Sequence, residues 1–421
     1  MTDSTSDSQR PLQLLSLAAF ASMASMRWCD ALLPVLAGEF GGTTGQASAT
    51  VYGFAIAYGV MQLVYGPIGD RLGKGAVVAF CTAACTVGAL ASAIAPSLGW
   101  LVVARALSGA TAAGIVPLTM AWIGDRVPWD QRQPVLARLL GATVTGMIAG
   151  QWLSGVFADT LGWRAGFLAL ALLFVVAGVA MRLSFREAPP RPAQGTVPVT
   201  SLQRMGEVLA SPQARRILFI TALEGAFATT ALAFAPSHLH ARFGVAVSTA
   251  GAIGVLYGAG GLLYSRAAPW MLAHRRPLTL ARVGGLMAGG AWVLFALAPA
   301  VGWTLPLCLL AGLGFYMIHN TLQTQATQMA PTQRGTGVAL FASALFMGQS
   351  VGMSLASWLV DRTSTTSVLA GYGLGLAAVA AGVGLALAAP RGLDQAAADA
   401  QVVPAGENAG LRNTKGHDGF R

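Results

Sequence analysis

The stretch GVMQLVYGPIGDRLGKGAVVAF, residues 59–80, sets two apolar segments on either side of a short charged turn. The turn carries Asp70, Arg71 and Lys74 between glycines, which keep it compact. Apolar segments of about 20 residues on both sides of such a turn are typical of two helices that cross a membrane. This stretch therefore predicts a pair of consecutive membrane spans.

The composition of the whole chain agrees with this interpretation. Of its 421 residues, 55% are hydrophobic and only 10% are charged, whereas an ordinary soluble domain has about 25% charged residues. A soluble domain of this length would need far more polar surface to cover its core. We therefore expect an all-α membrane protein with many spans.

Twelve apolar segments are long enough to cross a bilayer, which takes about 20 helical residues. They fall at residues 12–38, 48–69, 76–95, 99–122, 135–158 and 165–182, and again at 214–236, 248–270, 278–298, 303–326, 336–360 and 367–389. We number them as spans 1 to 12. The even number places both termini on the same side of the membrane.

The positive charges predict which side that is. Of the 26 Lys and Arg residues, 21 fall in the two termini and in the turns after the even-numbered spans, and only Arg164, Arg242 and Arg362 fall in the turns on the other side. Such an excess marks the cytoplasmic side. We therefore expect cytoplasmic termini and contact with membrane lipids. The net charge of +10 then reflects topology, and no nucleic-acid partner is expected.

The long segment after span 6 divides the chain into two bundles. We expect a cytoplasmic N-terminus at residues 1–11, an N-terminal six-helix bundle at 12–182, a cytoplasmic linker at 183–213, a C-terminal six-helix bundle at 214–389 and a disordered cytoplasmic tail at 390–421. The linker begins with a proline-rich stretch and continues as SLQRMGEVLAS, residues 201–211. Leu202, Met205, Val208 and Leu209 share one face of this segment, which predicts a short amphipathic helix on the membrane surface.

Traces of an internal duplication link the two bundles. PVLAGEF after span 1 parallels PSHLHARF after span 7, and QRQPVLARLLG…AGQ entering span 5 parallels TQRGTGVALFA…MGQ entering span 11, each at an offset of about 200 residues. Two parallel six-span halves form one transporter architecture, whose substrate site lies near the bilayer midplane between them.

Three motifs carry a resemblance to a known family. GPIGDRLGKG resembles the motif between spans 2 and 3 of the major facilitator superfamily, with the matching residues Gly66, Asp70, Arg71, Gly73 and Lys74 and a departure at Gly75. In span 4, RALSGATAAG matches at Arg105 and Gly109, and GWRAGF at residues 162–167 is similar to the turn into span 6. The chain looks most like bacterial twelve-span drug and sugar efflux permeases of the proton-antiporter type. This resemblance implies two pseudo-symmetric six-helix bundles in the bacterial inner membrane.

The resemblance also implies a conformational latch formed by Gly66, Asp70, Arg71, Gly73 and Lys74. Asp70 would contact the N-terminal end of span 11, where free N–H groups and the helix dipole favour a carboxylate. The contact would exist only while the cytoplasmic side is shut. The alternative is an ordinary charged turn that obeys the positive-inside bias.

Span 5 departs from the antiporter pattern. Antiporters of this group carry a Gly-Pro with trailing glycines there, whereas this chain has GATVTGMIAGQ, residues 141–151. Gly146 and Gly150 are kept, but Met147 stands where proline would and Gln151 where glycine would. The spacing still permits close helix packing, while export direction loses one of its supports.

Four charges lie deep inside predicted spans: Arg27 and Asp30 in span 1, Arg105 in span 4 and Glu224 in span 7. A charge at the centre of a span costs about 2.5–3.5 kcal/mol on insertion scales and usually faces a cavity. Arg27 and Asp30 are three residues apart, so they can partly neutralise each other on one face. Arg105 either pairs with Asp30 or caps backbone carbonyls. Glu224 has no charged neighbour within one turn, so we expect it to favour protonation and to carry the coupling proton; the alternative is a permanently protonated packing residue.

Span 10 adds a polar stripe. Tyr316, His319, Asn320 and Gln323 follow the i, i+3, i+4, i+7 spacing of one helix face. A lipid-facing stripe of this kind is implausible, so the face either lines the cavity or packs against a neighbouring span. His319 could titrate.

These observations predict a secondary active transporter that works by alternating access. The favoured interpretation is proton-coupled export of small organic compounds such as drugs, sugars or metabolites; the alternative is proton-coupled import of a metabolite or nutrient. The chain shows no GxxxxGK[ST] phosphate loop and no HExxH, so we expect no direct ATP drive and no enzyme activity. We expect no cofactor, no metal site and a monomer.

Overall fold

A computed structural model describes residues 4–184, 201–331 and 333–387 as a bundle of helices. The first half contains α1 (Ser4–Arg27), α2 (Leu33–Glu39), α3 (Thr44–Ala47), α4 (Ala49–Leu72), α5 (Lys74–Ala93), α6 (Leu98–Ala112), α7 (Ile115–Arg126), α8 (Trp129–Thr160) and α9 (Trp163–Ser184). A short helix α10 (Ser201–Ala210) follows. The second half contains α11 (Pro212–Glu224), a π-helical segment (Gly225–Thr229), α12 (Thr230–Phe243), α13 (Val247–His274), α14 (Pro277–Leu297), α15 (Val301–Gln328), α16 (Arg334–Val360) and α17 (Thr365–Leu387).

In the part of the chain that the structure describes, eleven helical stretches are long and apolar enough to cross a membrane. They correspond to predicted spans 2 to 12, most within a few residues at each end. Predicted span 1 is different, because it is divided into α1 and α2 by turns at residues 28–32. The helix α1 also begins at Ser4, eight residues before the predicted start of that span. Span 4 is divided in the same way into α6 and α7.

The two halves repeat the same helix packing. Gly150 in α8 sits against the backbone of Ala24 in α1, and Gly348 in α16 sits against the backbone of Ala222 in α11. A Cβ at either glycine would collide with the facing carbonyl oxygen, so only glycine lets the two helices approach this closely. These pairs join the first and fifth spans of each half, which confirms the close packing expected of span 5.

The halves meet along two helix pairs. Gly59 of α4 faces Phe346 and Met347 of α16, and Gly258 of α13 faces Val144 and Ile148 of α8. Spans 2 and 11 therefore form one seam and spans 5 and 8 the other. We call the end of the bundle that carries the basic turns after even-numbered spans the basic end, and the other the opposite end.

The short helix predicted in the linker is present as α10. Val208 is buried and Met205 is partly buried against a core that includes Ala214 of α11 and Phe341 of α16. Leu202 and Leu209 of the predicted apolar face remain exposed. The proline-rich stretch at 185–200 and the predicted tail at 390–421 lie outside the described residues.

Candidate functional site: a cavity between the halves and the contacts at its ends

A cavity of about 150 Å³ lies between the two halves, among α1, α8, the π-helical segment, α12, α13, α15 and α16. By this measure one water needs roughly 10–15 Å³, so the space holds on the order of ten waters. Its apolar lining consists of Met26, Val144, Met147, Ile148, Leu232, Gly254, Gly258, Phe315, Leu345 and Phe346. Its polar lining consists of Arg27, Gln151, Thr229, Tyr257, Tyr316, His319 and Gln349.

Arg27 and Asp30 form the first buried pair. The Nη1 atom of Arg27 donates to Oδ2 of Asp30 at 2.9 Å. Arg27 ends α1 and lines the cavity, whereas Asp30 lies in the turns between α1 and α2 and is fully buried. The local pairing predicted from the spacing of the two residues is therefore present, with the cation toward the cavity and the carboxylate behind it.

Arg105 takes the second of its two predicted roles. Its guanidinium donates to the carbonyl oxygen of Ser25 at 2.8 Å and to the Ser25 hydroxyl at 3.3 Å, and it lies 4.5 Å from the ring centre of Phe54. Ser25 is in the last turn of α1, whose carbonyls lack partners within the helix. A cation is favourable at this end of a helix, so Arg105 stabilises the break in span 1 instead of pairing directly with Asp30.

Glu224 and His319 form a second buried pair, which joins spans 7 and 10. The Nδ1 atom of His319 lies 3.3 Å from Oε1 and 3.4 Å from Oε2 of Glu224. Glu224 is fully buried, and His319 lines the cavity and stacks on Phe315 at 5.0 Å. Glu224 has no charged residue within one turn of its own helix, but it meets His319 from another span. It also immediately precedes the π-helical segment, a feature that is frequent at functional sites.

The predicted polar stripe of span 10 divides between three environments. Tyr316 and His319 line the cavity. Asn320 donates to the Tyr264 hydroxyl of α13 at 3.1 Å, so it packs against a neighbouring span. Gln323 is exposed toward the basic end. Neither Asn320 nor Gln323 lines the cavity in this structure. The stripe extends along the helix for two turns, and only its first two residues, Tyr316 and His319, reach the cavity.

Two glutamines in the cavity were not among the predicted site residues. Gln151 of α8 and Gln349 of α16 face the cavity from the two halves, and both are largely buried. They occupy equivalent places in the repeated AGQ and MGQ segments. The internal repeat could have identified these glutamines. Each directly follows a glycine that packs against the first span of its half, and equivalent residues of the two halves occupy equivalent positions.

At the opposite end, two aspartates join the halves. Asp159 at the end of α8 accepts from the Ser248 amide at the start of α13 at 2.7 Å. Asp361 follows α16 and accepts from the Gly45 amide at 3.1 Å and from the Thr43 hydroxyl at 2.7 Å. The Ser357 hydroxyl also donates to the Gly45 carbonyl at 2.6 Å. Each carboxylate meets free N–H groups at a helix start, where negative charge is favoured.

These contacts repeat the pseudo-symmetry of the chain. Asp159 and Asp361 end the fifth spans of the two halves, and Ser248 and Gly45 begin the second spans. Four hydrogen bonds between described residues of the two halves lie at the opposite end. The structure is therefore held shut at that end.

At the basic end, the predicted latch residue Asp70 is two-thirds exposed. Its carboxylate lies 3.5 Å from Nζ of Lys74, which in turn contacts Asp125 at the end of α7 at 2.5 Å. These ion pairs stay within the first half. Among the described residues of span 11, none contacts Asp70 through a hydrogen bond or an ion pair. A latch that forms only when the basic end is shut would be released in this state. Gly66 and Arg71 lie in the last two turns of α4, and Gly73, which separates α4 from α5, has a positive φ of 92°.

Comparisons with known proteins agree with this architecture. A sequence profile of the Major Facilitator Superfamily matches residues 15–353. The chain is 26% identical over 358 residues to the uncharacterized MFS-type transporter YceJ of Bacillus subtilis, covering 81% of this chain and 87% of that protein. It is also 26% identical over 149 residues to the multidrug export protein EmrB of Haemophilus influenzae, covering 35% of this chain and 29% of that protein.

Among solved structures, a mutant of the nucleoside transporter NupG superposes with a TM-score of 0.77 at 14% identity, covering 90% of this chain and 99% of that one. At this identity the likeness shows the fold alone. The profile match covers most of the chain and includes the motifs around Asp70 and Arg105. This protein belongs to the major facilitator superfamily, a family of membrane transporters that are not enzymes.

Proposed function

We propose that this transporter exports small organic compounds in exchange for protons, by alternating access to the cavity between its halves. The observation that carries the proposal is the pairing of each buried acidic side chain with a basic side chain that lines the cavity. Asp30 lies behind Arg27 and Glu224 lies behind His319. A substrate in the cavity would contact the cationic partner and thereby change how well the carboxylate is neutralised.

The arrangement supports Glu224 as the proton carrier. Asp30 is held in a direct ion pair by Arg27, a permanent cation. Glu224 faces His319, a side chain that can itself bind a proton, so a proton that enters from the cavity meets two adjacent groups that can hold it. A proton moving down a membrane potential yields about 2.3 kcal/mol per 100 mV, provided that one group exchanges it with each side in turn.

Alternating access is supported by the asymmetry of the two ends. The halves are bonded to each other at the opposite end, while Asp70 at the basic end is exposed. The basic end faces the cytoplasm if the excess of Lys and Arg follows the usual rule. In that orientation the structure is the inward-facing state of a monomer in the inner membrane, with the opposite end closed.

Import of a metabolite is the second candidate, and span 5 favours it. Exporters of the resembling type carry a Gly-Pro in this span, whereas Met147 stands in that place here and α8 runs without a break from Trp129 to Thr160. The exporter EmrB matches only a third of this chain, so it supports export without deciding it.

Transport direction can be measured in oriented membrane vesicles. A deletion strain is first screened for sensitivity to toxic compounds and for accumulated metabolites, which identifies the compound to follow. Everted vesicles should then accumulate this compound when a pH gradient is imposed, and right-side-out vesicles should not. Accumulation in right-side-out vesicles instead would support the import candidate and contradict export.

The orientation is tested independently of any substrate. Single cysteines near Gln194 and Asn413 should be labelled only from the cytoplasm, and cysteines near Thr43 and Thr365 only from outside. The native cysteines Cys29, Cys81, Cys85 and Cys308 are all buried, so they should not react with the label. One residue labelled from the wrong side would contradict the twelve-span topology.

A further inference from the structure

We infer that the cavity selects organic anions, such as carboxylates with an apolar body. The inference rests on the proposed function, since it takes this cavity as the place where the transported compound binds. It adds the charge class of that compound, which the transport proposal leaves open.

The basic side chains around the cavity face it, and their acidic partners lie behind them. Arg27 and His319 line the cavity, and their partners Asp30 and Glu224 are fully buried behind them. The described lining contains no carboxylate. A bound cation would therefore meet a guanidinium and an imidazole, whereas an anion would meet opposite charge.

Unmet hydrogen-bonding groups point the same way. Among the residues that the structure describes, Arg27 bonds only to Asp30, which occupies one of the five N–H donors of the guanidinium. The side-chain amide nitrogen of Gln151 and the hydroxyl of Tyr257 are buried and have no hydrogen-bond partner. Both side chains are more than nine-tenths buried and line the cavity. Buried polar groups are normally satisfied, so these donors are placed for an acceptor-rich ligand.

The rest of the lining fits an apolar body. Phe315 and Phe346 face the cavity together with Met26, Met147 and Leu232. Phe315 is held between Tyr257 at 5.7 Å and His319 at 5.0 Å. Aromatic rings and methionine side chains adapt to flat or irregular apolar groups. A carboxylate on Arg27, Gln151 and Tyr257 with its carbon skeleton against these side chains would satisfy both parts of the lining.

The test uses three probes that share one carbon skeleton and differ in head group: 3-phenylpropionate, 3-phenylpropanol and 3-phenylpropylammonium. Binding to the purified full-length protein in nanodiscs is measured by calorimetry. The carboxylate should bind about tenfold or more tightly than the alcohol, because hydrogen bonds to charged groups are roughly twice as strong as neutral ones. The ammonium should bind most weakly. Equal or tighter binding of the ammonium, or a carboxylate no tighter than the alcohol, overturns the inference.

Variants locate the preference in the cavity. Gln151→Glu keeps the size of the side chain and adds a negative charge, so it should abolish the preference for the carboxylate. Gln62→Glu makes the same change at another buried glutamine outside the cavity lining and should leave the preference unchanged. Tyr257→Phe removes only a hydroxyl and should weaken carboxylate binding severalfold, whereas Tyr372→Phe, at a buried tyrosine of span 12, should not. An unchanged preference in both Gln151→Glu and Tyr257→Phe overturns the inference.

Transport of the same probes separates this inference from the proposed function. If the carboxylate binds best but proteoliposomes move none of the probes with or without a pH gradient, the transport proposal fails and the anion site stands. If the probes are moved but the ammonium is preferred, transport stands and the anion inference fails.

Discussion

The contacts of Asp361 predict how strongly a single residue holds the opposite end shut. Asp361→Asn keeps the shape of the side chain but removes its charge and one of its acceptor oxygens. The two hydrogen bonds to a charged carboxylate, from Gly45 N at 3.1 Å and Thr43 Oγ1 at 2.7 Å, then become two neutral bonds, because the Asn amide oxygen accepts from Gly45 N and the amide nitrogen donates to the Thr43 hydroxyl. A hydrogen bond to a charged group contributes about 1.5–3 kcal/mol and a neutral one about 0.5–1.5 kcal/mol. Because Asp361 is exposed, we take the low end, a loss of about 1–2 kcal/mol in the state closed at that end.

A loss of this size changes the ratio of the two states by a factor of about 5–30. Spin labels at Leu161 and Thr363, which are exposed on the two halves at the opposite end, report this ratio by pulsed electron paramagnetic resonance. Asp361→Asn should increase the population with the longer distance by that factor. Asp159→Asn should act in the same direction, and the double variant should show the product of the two effects, because the sites share no partner.

The matched control is Glu39→Gln. Glu39 accepts hydrogen bonds from Trp163 and Arg164, which lie in the same half and at the same end. Removing its charge makes the same chemical change without touching a contact between the halves. An unchanged distance distribution in Asp361→Asn, or an equal shift in Glu39→Gln, would refute the reasoning that these aspartates close the opposite end.

Two further predictions concern the basic end and pH. Asp70→Asn should slow turnover strongly while leaving substrate binding largely intact, because the latch would act only in the state closed at the basic end. Normal turnover of this variant at a matched protein level would contradict the latch. Burial of Glu39 opposes ionisation, but hydrogen bonds from Trp163 and Arg164 outweigh it and lower the pKa of this carboxyl below 4.5. The Glu39 pairing should therefore stabilise the fold above about pH 4.5 and lose its effect as pH falls through the lowered pKa. The difference in melting temperature between the native chain and Glu39→Gln should then shrink on acidification. A difference that grows on acidification would contradict the predicted direction.

The spans could be predicted from the sequence because hydrophobicity is a local property. The Arg27–Asp30 pair is also local, since two residues three apart on one turn meet whatever the rest of the chain does. The pairing of Glu224 with His319 could not be predicted in the same way. The two residues are 95 positions apart, and periodicity indicates which residues share a face but not which other helix that face meets.

The internal repeat relates polar residues of the two halves that the deep charges alone do not indicate. It relates Gln151 to Gln349 and Asp159 to Asp361, each at an offset of about 200 residues, but it does not indicate that these aspartates join the halves. The break in span 1 was not predicted, because an apolar run gives no sign of where its helix ends. Arg105 in the structure explains part of it by donating to the Ser25 carbonyl in the last turn of α1.

Glu224 is the proposed proton-carrying group of this transporter, and one measurement tests that role most directly. Proteoliposomes with the native chain and with Glu224→Gln are compared for uphill accumulation of the screened compound driven by a pH gradient, and for exchange of the same compound at equal concentrations. Glu207→Gln, which changes an exposed carboxylate of α10, is the control and should match the native chain. Since glutamine mimics a protonated glutamate, Glu224→Gln should retain exchange and lose accumulation. Accumulation against the gradient by Glu224→Gln would contradict the account and move the proton site to Asp30 or His319.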